Sequence, residues 1–371
     1  MMAKLLKLSN LKKTIYYLKK NGFRKAYYAA VERASSERKD DYHYDPLPDS
    51  VLKEQAGKAS EFSTGFSILV PTFETREEFL RALINSVLAQ TCGNWELILA
   101  DASKTDRVSE VVKEYTDSRI RYHRLKENLG ISGNTNEALK TATGEYVALL
   151  DHDDLLTEDA LFECASVIEA YRKDNLELRM LYSDEDKCNS DGTLFYEVNR
   201  KPEFNLDLIL SNNYICHLFA VRRDLLKKVG LLNPAYDGAQ DYDFVLRCAE
   251  QAKAIGHIPK VLYHWRTHPA STAGNPESKE YAFNAGRRAV EAHYQRCGIA
   301  ARTEETAMRG RYRSRFTVQG MPLVSILIPN KDHVEDLRRC LASIREKSTY
   351  ANYEILVIEN NSVEAETEAY Y

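Results

Sequence analysis

The sequence predicts an α/β fold, a mostly parallel sheet flanked by helices, and two observations support this. Between residues 66 and 151 short apolar runs alternate with amphipathic stretches, which requires crossover connections between parallel strands. Three apolar runs end near Pro71, Asp101 and Asp151, and parallel sheets bind ligands beyond the carboxyl ends of their strands. The 371 residues suffice for about two domains.

The predicted elements alternate between strand and helix. The strands are short and apolar, and the helices carry their apolar residues on one face. In chain order the strands are FSILVP, WELILAD, IRYHRL and EYVALLD. The intervening helices are REEFLRALINSVLAQ, VSEVVKEYTD and the segment GISGNTNEALKTA, which begins as a loop. Two later segments, LLTEDALFECASVIEAY and SKEYAFNAGRRAVEAHYQRCG, are also predicted to be helical.

The first 40 residues form a separate basic segment, with eleven Lys or Arg against three acids. Leu8, Leu11, Ile15 and Leu18 recur at helical spacing, and Asn21 with the following glycine would break the segment into two short helices. Two interpretations stay open. The segment is either a helical hairpin that packs on its own domain or on a second copy, or a basic amphipathic surface that contacts anionic lipid.

Composition and charge indicate an ordinary soluble protein, 44% hydrophobic and 29% charged. The net charge of −4 argues against a nucleic-acid partner, because phosphate binding needs clustered Lys and Arg. Seven cysteines without metal-ligand spacing favour a reducing cytoplasm. No apolar run approaches the ~20 residues of a membrane helix, and no signal peptide is recognisable. We expect a cytoplasmic protein, with any membrane contact peripheral and at the inner face.

An internal repeat predicts a second domain of the same kind. The segment at 66–103 returns at 324–362 with the same strand, proline stop, helix and second strand. One strand–helix–strand unit cannot bury both faces of a parallel pair, so we expect the natural protein to continue. The predicted domains are a basic helical extension with its linker at 1–60, an α/β domain at 61–305, and a linker with the truncated start of a second domain at 306–371.

The stretch YVALLDHDDLL places three carboxylates and His152 at the end of a predicted buried strand. Such carboxylates are costly to desolvate unless they are paired, and hard cations such as Mg²⁺ take carboxylate and phosphate oxygens. Asp151 and Asp153 are therefore candidates for binding a metal or a ligand hydroxyl. The alternative is an acidic turn that caps the next helix, with Asp154 or Thr157 as its N-cap. His152 has no assigned role.

Five motifs, in this order, resemble the family-2 glycosyltransferases of the GT-A fold. They are SILVPTF, LILADAS, ENLGISGNTNEA, GEYVALLDHDDLL and GAQDYDFVLR, within roughly residues 66–300. The repeat at 324–362 resembles the opening of a second such domain, as in bifunctional bacterial polysaccharide synthases. The resemblance implies a Rossmann-like sheet, a nucleotide-sugar donor with UDP or dTDP, and a divalent metal, Mn²⁺ or Mg²⁺.

The resemblance also assigns a donor site. Asp101 would accept a hydrogen bond from a pyrimidine N3–H, because a carboxylate is only an acceptor. Asp151 would face the ribose or the donor sugar, and Asp153 would bind the metal that bridges the phosphates. For the loop near residue 130 the alternative is a glycine-containing turn that caps the next helix. The other implied donor residues are Pro71, Thr72, Glu74, Asn128, Gly130 and Asn134.

The implied reaction needs a base. Cleavage of a sugar–phosphate bond leaves extra negative charge on the nucleoside diphosphate, which a metal stabilises. The attacking hydroxyl must lose its proton, so a carboxylate is needed on the other side of the anomeric carbon. Asp241, within YDGAQDYDFVLRCAEQA, matches the acid of the family motif and would give an inverting transfer. Its alternative role is an N-cap, with Asp243 complementing the helix dipole.

The stretch VLYHWRTHPASTA supplies further candidates. His268 is preferred over His264 as a metal ligand or diphosphate contact, Arg266 would neutralise the diphosphate, and Trp265 would stack on a sugar. In such enzymes the sheet beyond the metal motif forms the acceptor floor, although a charged loop and a mixed-sheet strand are an equal alternative. The candidate acceptor ligands there are Asp184, Glu185, Asn212, Asn213 and His217.

The predicted function is an inverting, metal-dependent transfer of a sugar to a growing glycan or lipid-linked oligosaccharide of the bacterial surface, of O-antigen or capsule type. A nucleotidyltransferase is one alternative, but it would carry a Gly-rich phosphate loop after the first strand, where VPTFETREE has no glycine. A non-catalytic scaffold module is the other, but such a module has no reason to keep both Asp153 and Asp241.

Overall fold

The structure is a computed structural model that describes residues 42–268 and 280–371. The helices expected in the first 40 residues lie outside these ranges. The chain divides into two compact units, Met1–Arg315 and Phe316–Tyr371. Within the described ranges, no helix has the length and apolar character needed to cross a bilayer.

A nine-stranded mixed sheet forms the centre of the first unit. Its strands are β1 (Phe66–Thr72), β2 (Trp95–Asp101), β3 (Ile120–Arg124), β4 (Tyr146–Leu149), β5 (Leu155–Leu156), β6 (Met180–Cys188), β7 (Phe195–Asn199), β8 (Phe219–Arg222) and β9 (Ile255–Arg266). They lie in the order β3-β2-β1-β4-β8-β6-β9-β5, and β7 pairs with β6. The expected α/β fold is confirmed, but the sheet is mixed and not mostly parallel, because β5, β7 and β8 pair antiparallel with their neighbours.

Helices cover both faces of this sheet, and a hairpin completes the unit. The helices are α1 (Asp49–Ala59), α2 (Glu77–Leu88), α3 (Arg107–Val112), α4 (Gly130–Thr141), α5 (Ala160–Lys173), α6 (Leu206–Ile209), α7 (Leu226–Val229), α8 (Gln240–Gln251) and α9 (Glu280–Arg296). The hairpin strands are β10 (Ala301–Glu305) and β11 (Tyr312–Phe316). It extends the first unit beyond residue 305, where the sequence suggested a domain boundary.

The apolar runs become strands because both of their faces are covered. Ile68 and Val70 enter one core cluster and Leu69 enters the other, as the two-residue period of a strand requires. All three side chains are fully buried. A buried parallel strand therefore reads as a continuous apolar run rather than as an alternating one.

The sheet geometry brings the sequence motifs to one edge. β1 is parallel to β2 and β4, and β6 is parallel to β9. β8 lies between these groups and is antiparallel to β4 and to β6. Leu149 at the end of β4 pairs with Phe219 at the start of β8. The segment that follows β4 and the segment that precedes β8 therefore leave the sheet side by side.

Two local predictions differ from the structure. The helix expected at 108–117 is only α3, since residues 113–117 are not helical. The alternative in which Asp154 or Thr157 caps the next helix is also wrong, because α5 begins at Ala160 with Asp159 as its N-cap residue. Leu155 and Leu156 instead form β5, which pairs antiparallel with His264 and Tyr263 of β9. Tertiary pairing with β9 prevents the helix from starting earlier.

The second unit contains β12 (Val324–Asn330), α10 (Val334–Lys347), β13 (Tyr353–Glu359) and α11 (Ala365–Tyr370). The strand–helix–strand repeat predicted from the sequence is present, because β12 and β13 pair in parallel from Val324 and Tyr353. A buried contact of the first unit recurs as well. The Ser325 hydroxyl donates to Glu354 over 2.6 Å, as the Ser67 hydroxyl donates to Glu96 over 2.6 Å.

Candidate active site

A cavity of about 700 Å³ lies at the edge where these strands end. Pro71 follows the apolar part of β1, Asp151 follows β4, and Asp241 stands in the first turn of α8. Aromatic and apolar side chains form much of the remaining wall, including Trp265 and Tyr312. A largely apolar wall with a few convergent charged groups is typical of a small-molecule site.

Asp241 is the acid with the most distinctive surroundings in this cavity. Burial raises the pKa of its carboxyl above the usual range, the nearby His217 ring lowers it, and the carboxylate of Asp151 raises it again. The Asn213 side chain donates a hydrogen bond to Oδ2 of Asp241 over 2.7 Å. A carboxylate whose pKa is raised toward neutrality is a better proton acceptor than an ordinary aspartate.

The short segment before β8 holds four more cavity residues, Asn212, Asn213, Cys216 and His217. The His217 ring stacks on Tyr263 with centroids 4.6 Å apart and meets Trp265 edge-on at 5.6 Å. Its Nε2 lies 4.0 Å from Oδ2 of Asp151. His217 thus stands between the segment that follows β4 and the aromatic wall from β9.

A buried ion pair between Lys201 and Glu185 fixes the segment before β8. The side chain of Lys201 is fully buried, and its ammonium donates to the carbonyls of Ile215, over 2.6 Å, and of His217. Glu185 accepts from the Lys201 ammonium at 3.3 Å and from the backbone N–H of His217 at 3.1 Å. Asn199 donates to the other oxygen of Glu185. We call Lys201 and Glu185 the clamp.

Asp154 is fully buried. It holds residues 151–154, which we call the acidic segment, against β9. It accepts from the Tyr263 hydroxyl at 2.5 Å and from the backbone N–H of Arg266 at 2.7 Å. Burial raises the pKa of Asp154 well above its usual range, and the charges of Asp153 and Asp151 add to the shift. The Tyr263 hydroxyl also accepts from the backbone N–H of Asp151. Asp154 therefore links its own segment to β9 and does not cap a helix.

Asp153 and His268, the two expected metal ligands, lie next to each other. Nε2 of His268 is 2.9 Å from Oδ2 of Asp153. Adjacent ligands of an octahedral Mg²⁺, each at ~2.1 Å from the ion, are about 3 Å apart. The same 2.9 Å is a hydrogen-bond distance between the two groups, and the pair offers the ligand atoms that a divalent cation could share in place of that bond.

The structure separates the two competing histidines. Nδ1 of His264 lies 2.6 Å from Oδ1 of Asp186, and both side chains are buried. The rings of Tyr44 and Phe195 pack on His264 at 4.5 and 4.3 Å. His264 thus belongs to an interior cluster, whereas His268 lies beside the acidic segment.

Arg266, which is expected to neutralise a diphosphate, lies in the interior of the protein. It is only 1% exposed, and its guanidinium donates to the carbonyls of Asp153 and Ser190 over 2.5 and 2.6 Å. The Phe79 ring lies 4.9 Å from it. These contacts support the segment that carries Asp153, while one guanidinium nitrogen of Arg266 has no hydrogen-bond partner among the described residues. The diphosphate role of Arg266 stays a prediction.

The expected base-binding residue, Asp101, lies at the end of β2 and is fully buried. One oxygen accepts from Thr72 and from the N–H and hydroxyl of Ser103. The other accepts from the hydroxyl of Tyr122 at 2.7 Å and from Arg124 at 3.2 Å. Five donors already meet a group with about four lone-pair sites. A nucleobase N–H would have to replace Tyr122 or Arg124.

The neighbouring donor candidates shape the backbone around Asp101. The Glu74 carboxylate accepts from the N–H of Lys104 at 2.6 Å and from the hydroxyl of Thr105 at 2.8 Å. It thereby joins the end of β1 to the loop after β2. Of the donor candidates in this region, Pro71 also lines the cavity, whereas Thr72, Glu74 and Asp101 do not.

The side-chain amides of Asn128 and Asn134 stabilise the loop before α4. The Asn134 side chain accepts from the N–H of Leu129 and donates to Oδ1 of Asn128, at 3.0 and 2.9 Å. Gly130 has φ of 75°, and a Cβ there would lie 2.8 Å from a carboxylate oxygen of Asp237. The structure thus brings Asn128, Gly130 and Asn134 together, although none of them lines the cavity.

The acceptor candidates divide into two groups. Asn213, His217 and Trp265 line the cavity together with Asp241. Asp184 does not, because its Oδ1 accepts from the N–H of Lys201 at 2.9 Å and lies 2.8 Å from His257. This corrects the expectation for Asp184, whose side chain joins neighbouring parts of the sheet.

Sequence reasoning missed the clamp lysine and the arginines of the β10–β11 turn. Lys201 stands in an unremarkable polar stretch, NRKPEFN, and only the fold shows that it meets Glu185. Arg309 and Arg311 line the cavity, although the sequence placed them in a linker. The run RGRYRSRF, with arginine at alternate positions, was a signal that could have identified them.

Known proteins share similar sequence over most of this chain. A model of the family described as "Glycosyl transferase family 2" matches residues 67–230. Over 307 residues the chain is 41% identical to the uncharacterised protein y4gI of Sinorhizobium fredii, covering 81% of this chain and 33% of that protein. It is 35% identical over 307 residues to the O-antigen biosynthesis protein RfbC of Myxococcus xanthus, covering 81% and 23%.

A shorter relative is matched over most of its length. The chain is 30% identical over 190 residues to the PGL/p-HBAD biosynthesis glycosyltransferase of Mycobacterium bovis, covering 49% of this chain and 69% of that protein. By contrast, the chain spans about a third of the Sinorhizobium protein and about a quarter of the Myxococcus protein.

Proposed function

Since the chain belongs to glycosyl transferase family 2 and has a GT-A fold, we propose that it transfers a sugar, with inversion, from a nucleotide-diphosphate donor to a hydroxyl of a growing bacterial surface glycan. The donor nucleotide is UDP or dTDP, and a divalent metal, Mn²⁺ or Mg²⁺, takes part. The O-antigen protein among the relatives supports the surface glycan as the product.

The observation that carries this proposal is the position of Asp241. Its carboxyl lies in a cavity that can hold a sugar hydroxyl, and burial raises its pKa. The N-terminus of α8 and the amide of Asn213 stabilise its negative charge. Asp241 accepts the proton of the acceptor hydroxyl as that oxygen attacks the anomeric carbon. A single attack from the face opposite the leaving group inverts the anomeric centre.

The donor is proposed to lie between β1, β2 and the acidic segment. Asp101 and its neighbours would recognise the base, and Asp151, which lines the cavity, would meet the ribose or the donor sugar. Asp153 and His268 would hold the metal, which stabilises the charge that develops on the departing diphosphate. Arg266 keeps the backbone of Asp153 in place.

We also propose a cytoplasmic location, with peripheral contact at the inner face of the membrane where a lipid-linked acceptor is reached. The location agrees with the seven cysteines, which are all free thiols in the structure.

The direct test is release of nucleotide from UDP- and dTDP-sugars, with and without Mn²⁺, in the presence of glycan acceptors. Asp241→Asn keeps the shape of the side chain but removes the base, so transfer should be abolished while nucleotide affinity stays at the wild-type level. A fully active Asp241→Asn protein would overturn the assignment. Formation of a nucleotide sugar from a sugar phosphate would instead indicate a nucleotidyltransferase, and nucleotide binding without any turnover would indicate a scaffold.

A further inference from the structure

The cavity that contains Asp241 also carries positive charge. Arg309 and Arg311 line it, and both belong to the turn of the β10–β11 hairpin. The Arg311 side chain forms no hydrogen bond or ion pair with any residue in the ranges 42–268 and 280–371. Both arginines are exposed, and a guanidinium at the wall of a cavity attracts anionic ligands and is suited to two parallel hydrogen bonds with a carboxylate or phosphate.

The hairpin holds these arginines in a defined place. Tyr312 is buried, and its N–H and hydroxyl donate to the carbonyls of Ser211 and Phe283 over 2.7 and 2.9 Å. Its ring also stacks on Tyr242 of α8 with centroids 6.2 Å apart. The turn itself is closed by a hydrogen bond from the N–H of Thr306 to the carbonyl of Arg311. Arg311 is thus fixed relative to the helix that bears Asp241.

The arginines lie near Asp241, because the adjoining Tyr312 stacks on Tyr242 of α8. Asn213, Trp265 and Asp241 line the same cavity. Of the residues assigned to the donor, Pro71 and Asp151 line it as well, whereas Asp101, Asp153 and His268 do not. The Phe283 ring, 5.9 Å from the Arg309 guanidinium, and Tyr281 add aromatic surface there. Aromatic rings beside guanidinium groups suit a sugar that bears a negative charge.

We propose that Arg311, assisted by Arg309, binds an anionic group of the acceptor, a carboxylate or a phosphate, while Asp241 meets the hydroxyl that attacks. The acceptor is accordingly an acidic saccharide and not a neutral one. This inference rests on the proposed glycosyl transfer, because it assigns the chemistry of the second substrate of the same site.

The test compares matched pairs of acceptors. One pair is a uronic-acid oligosaccharide and its carboxyl-reduced form, and the other is an alkyl diphospho-sugar and the neutral alkyl glycoside of the same sugar. We expect the wild-type protein to prefer the charged member of one pair, which also identifies the source of the anion. Arg311→Ala should raise the KM for that member about tenfold, the usual effect of losing a charged hydrogen bond, and leave the KM for the neutral member unchanged.

Arg315→Ala is the matched control, because Arg315 lies in the same hairpin, pairs with Glu304 and is absent from the cavity lining. It should not change the preference between acceptors. Equal use of charged and neutral acceptors by the wild-type protein would overturn the inference. A loss of UDP affinity in Arg311→Ala would also overturn it, since the arginine would then serve the donor.

Failure of the proposed function would look different. In that case no nucleotide would be released from any donor, with or without acceptor. Binding of the same acceptors, measured by saturation-transfer NMR, would still show whether Arg311 selects the charged member. Arg311→Lys should keep part of this selection, because it keeps the charge but not the paired donors.

Discussion

As the proposed base, Asp241 would work through its ionised form, and its surroundings control how much of that form is present. The same burial that makes the carboxylate a stronger base also makes it harder to ionise. The Asn213 amide opposes burial, because it donates to the charged oxygen. The N–H of Cys216 in turn lies 3.3 Å from Oδ1 of Asn213 and orients that amide. The base therefore depends on a residue that need not touch the substrate.

The raised pKa of Asp241 predicts an acid limb in the pH profile of kcat/KM. A base must be deprotonated, so activity should rise with pH through this pKa, at a pH above the ~3.9 of an ordinary aspartate. Asn213→Ala removes a donor to the carboxylate and should move the limb to higher pH. Rates measured between pH 4 and pH 8 test this. An acid limb at the same pH in both proteins would show that the amide does not tune the base.

The two histidines near the end of β9 give a second prediction at this scale. His268→Ala removes the proposed ligand beside Asp153, so the affinity for Mn²⁺ should fall about tenfold or more. His264→Ala leaves Asp186 in the interior with one partner fewer, so it should lower the unfolding temperature while the metal dependence stays the same. Mn²⁺ titrations of nucleotide binding check both variants. Equal metal affinity in wild type and His268→Ala would remove His268 from the site.

At the scale of elements, the segment 212–218 connects the cavity to the sheet. It has no regular secondary structure, and its carbonyls at Ile215 and His217 accept from the Lys201 ammonium. Segments of this kind keep one conformation only when buried polar partners define it. The clamp thus sets where Asn213 and His217 stand relative to Asp241.

Breaking the clamp should lower kcat without changing donor affinity. Lys201→Met leaves Glu185 as an unpaired buried charge, which should cost about 3–5 kcal/mol of stability and misplace Asn213 and His217. In the double variant with Glu185→Leu no charge is left behind, so stability should partly return while kcat stays low. Thermal unfolding and separate KM values for donor and acceptor provide the measurement. An increase in donor KM as large as the loss in kcat would contradict a role confined to the acceptor side.

The elements also show what the sequence was able to predict. β1 and β2 were identified because each is an apolar run with a clear end at proline or aspartate. The residues Leu155 and Leu156 were not identified as a strand, because two residues carry no period and their pairing with Tyr263 and His264 lies about a hundred residues away. Asp154 was misread for the same reason. Its neighbours in sequence suggested a helix cap, whereas its hydrogen-bond partners, Tyr263 and Arg266, come from β9.

At the scale of the whole molecule, the strand-end contacts of the first unit recur in the second. The N–H of Asn360 donates to the carbonyl of Asn330 over 2.9 Å, as the N–H of Ala102 donates to that of Thr72 over 3.0 Å. Glu359 ends β13 where Asp101 ends β2. Within residues 42–268 and 280–371, however, all residues that line the cavity with Asp241 belong to the first unit. The proposed transfer is therefore assigned to the first unit.

Nucleotides should stabilise the folded protein to different extents, depending on the base they carry. A ligand that binds only the folded state adds about 2.7 kcal/mol at a hundredfold excess over its Kd, which raises the unfolding temperature by several degrees. We expect UDP or dTDP with Mn²⁺ to give the largest shift among UDP, dTDP, GDP and CDP, because Asp101 can accept from the N3–H of uracil or thymine. Asp153→Ala is the control, and it should lose the part of the temperature shift that depends on Mn²⁺. A larger shift with CDP, whose base has no N3–H, would show that the carboxylate of Asp101 stays with Tyr122 and Arg124 and does not recognise the base.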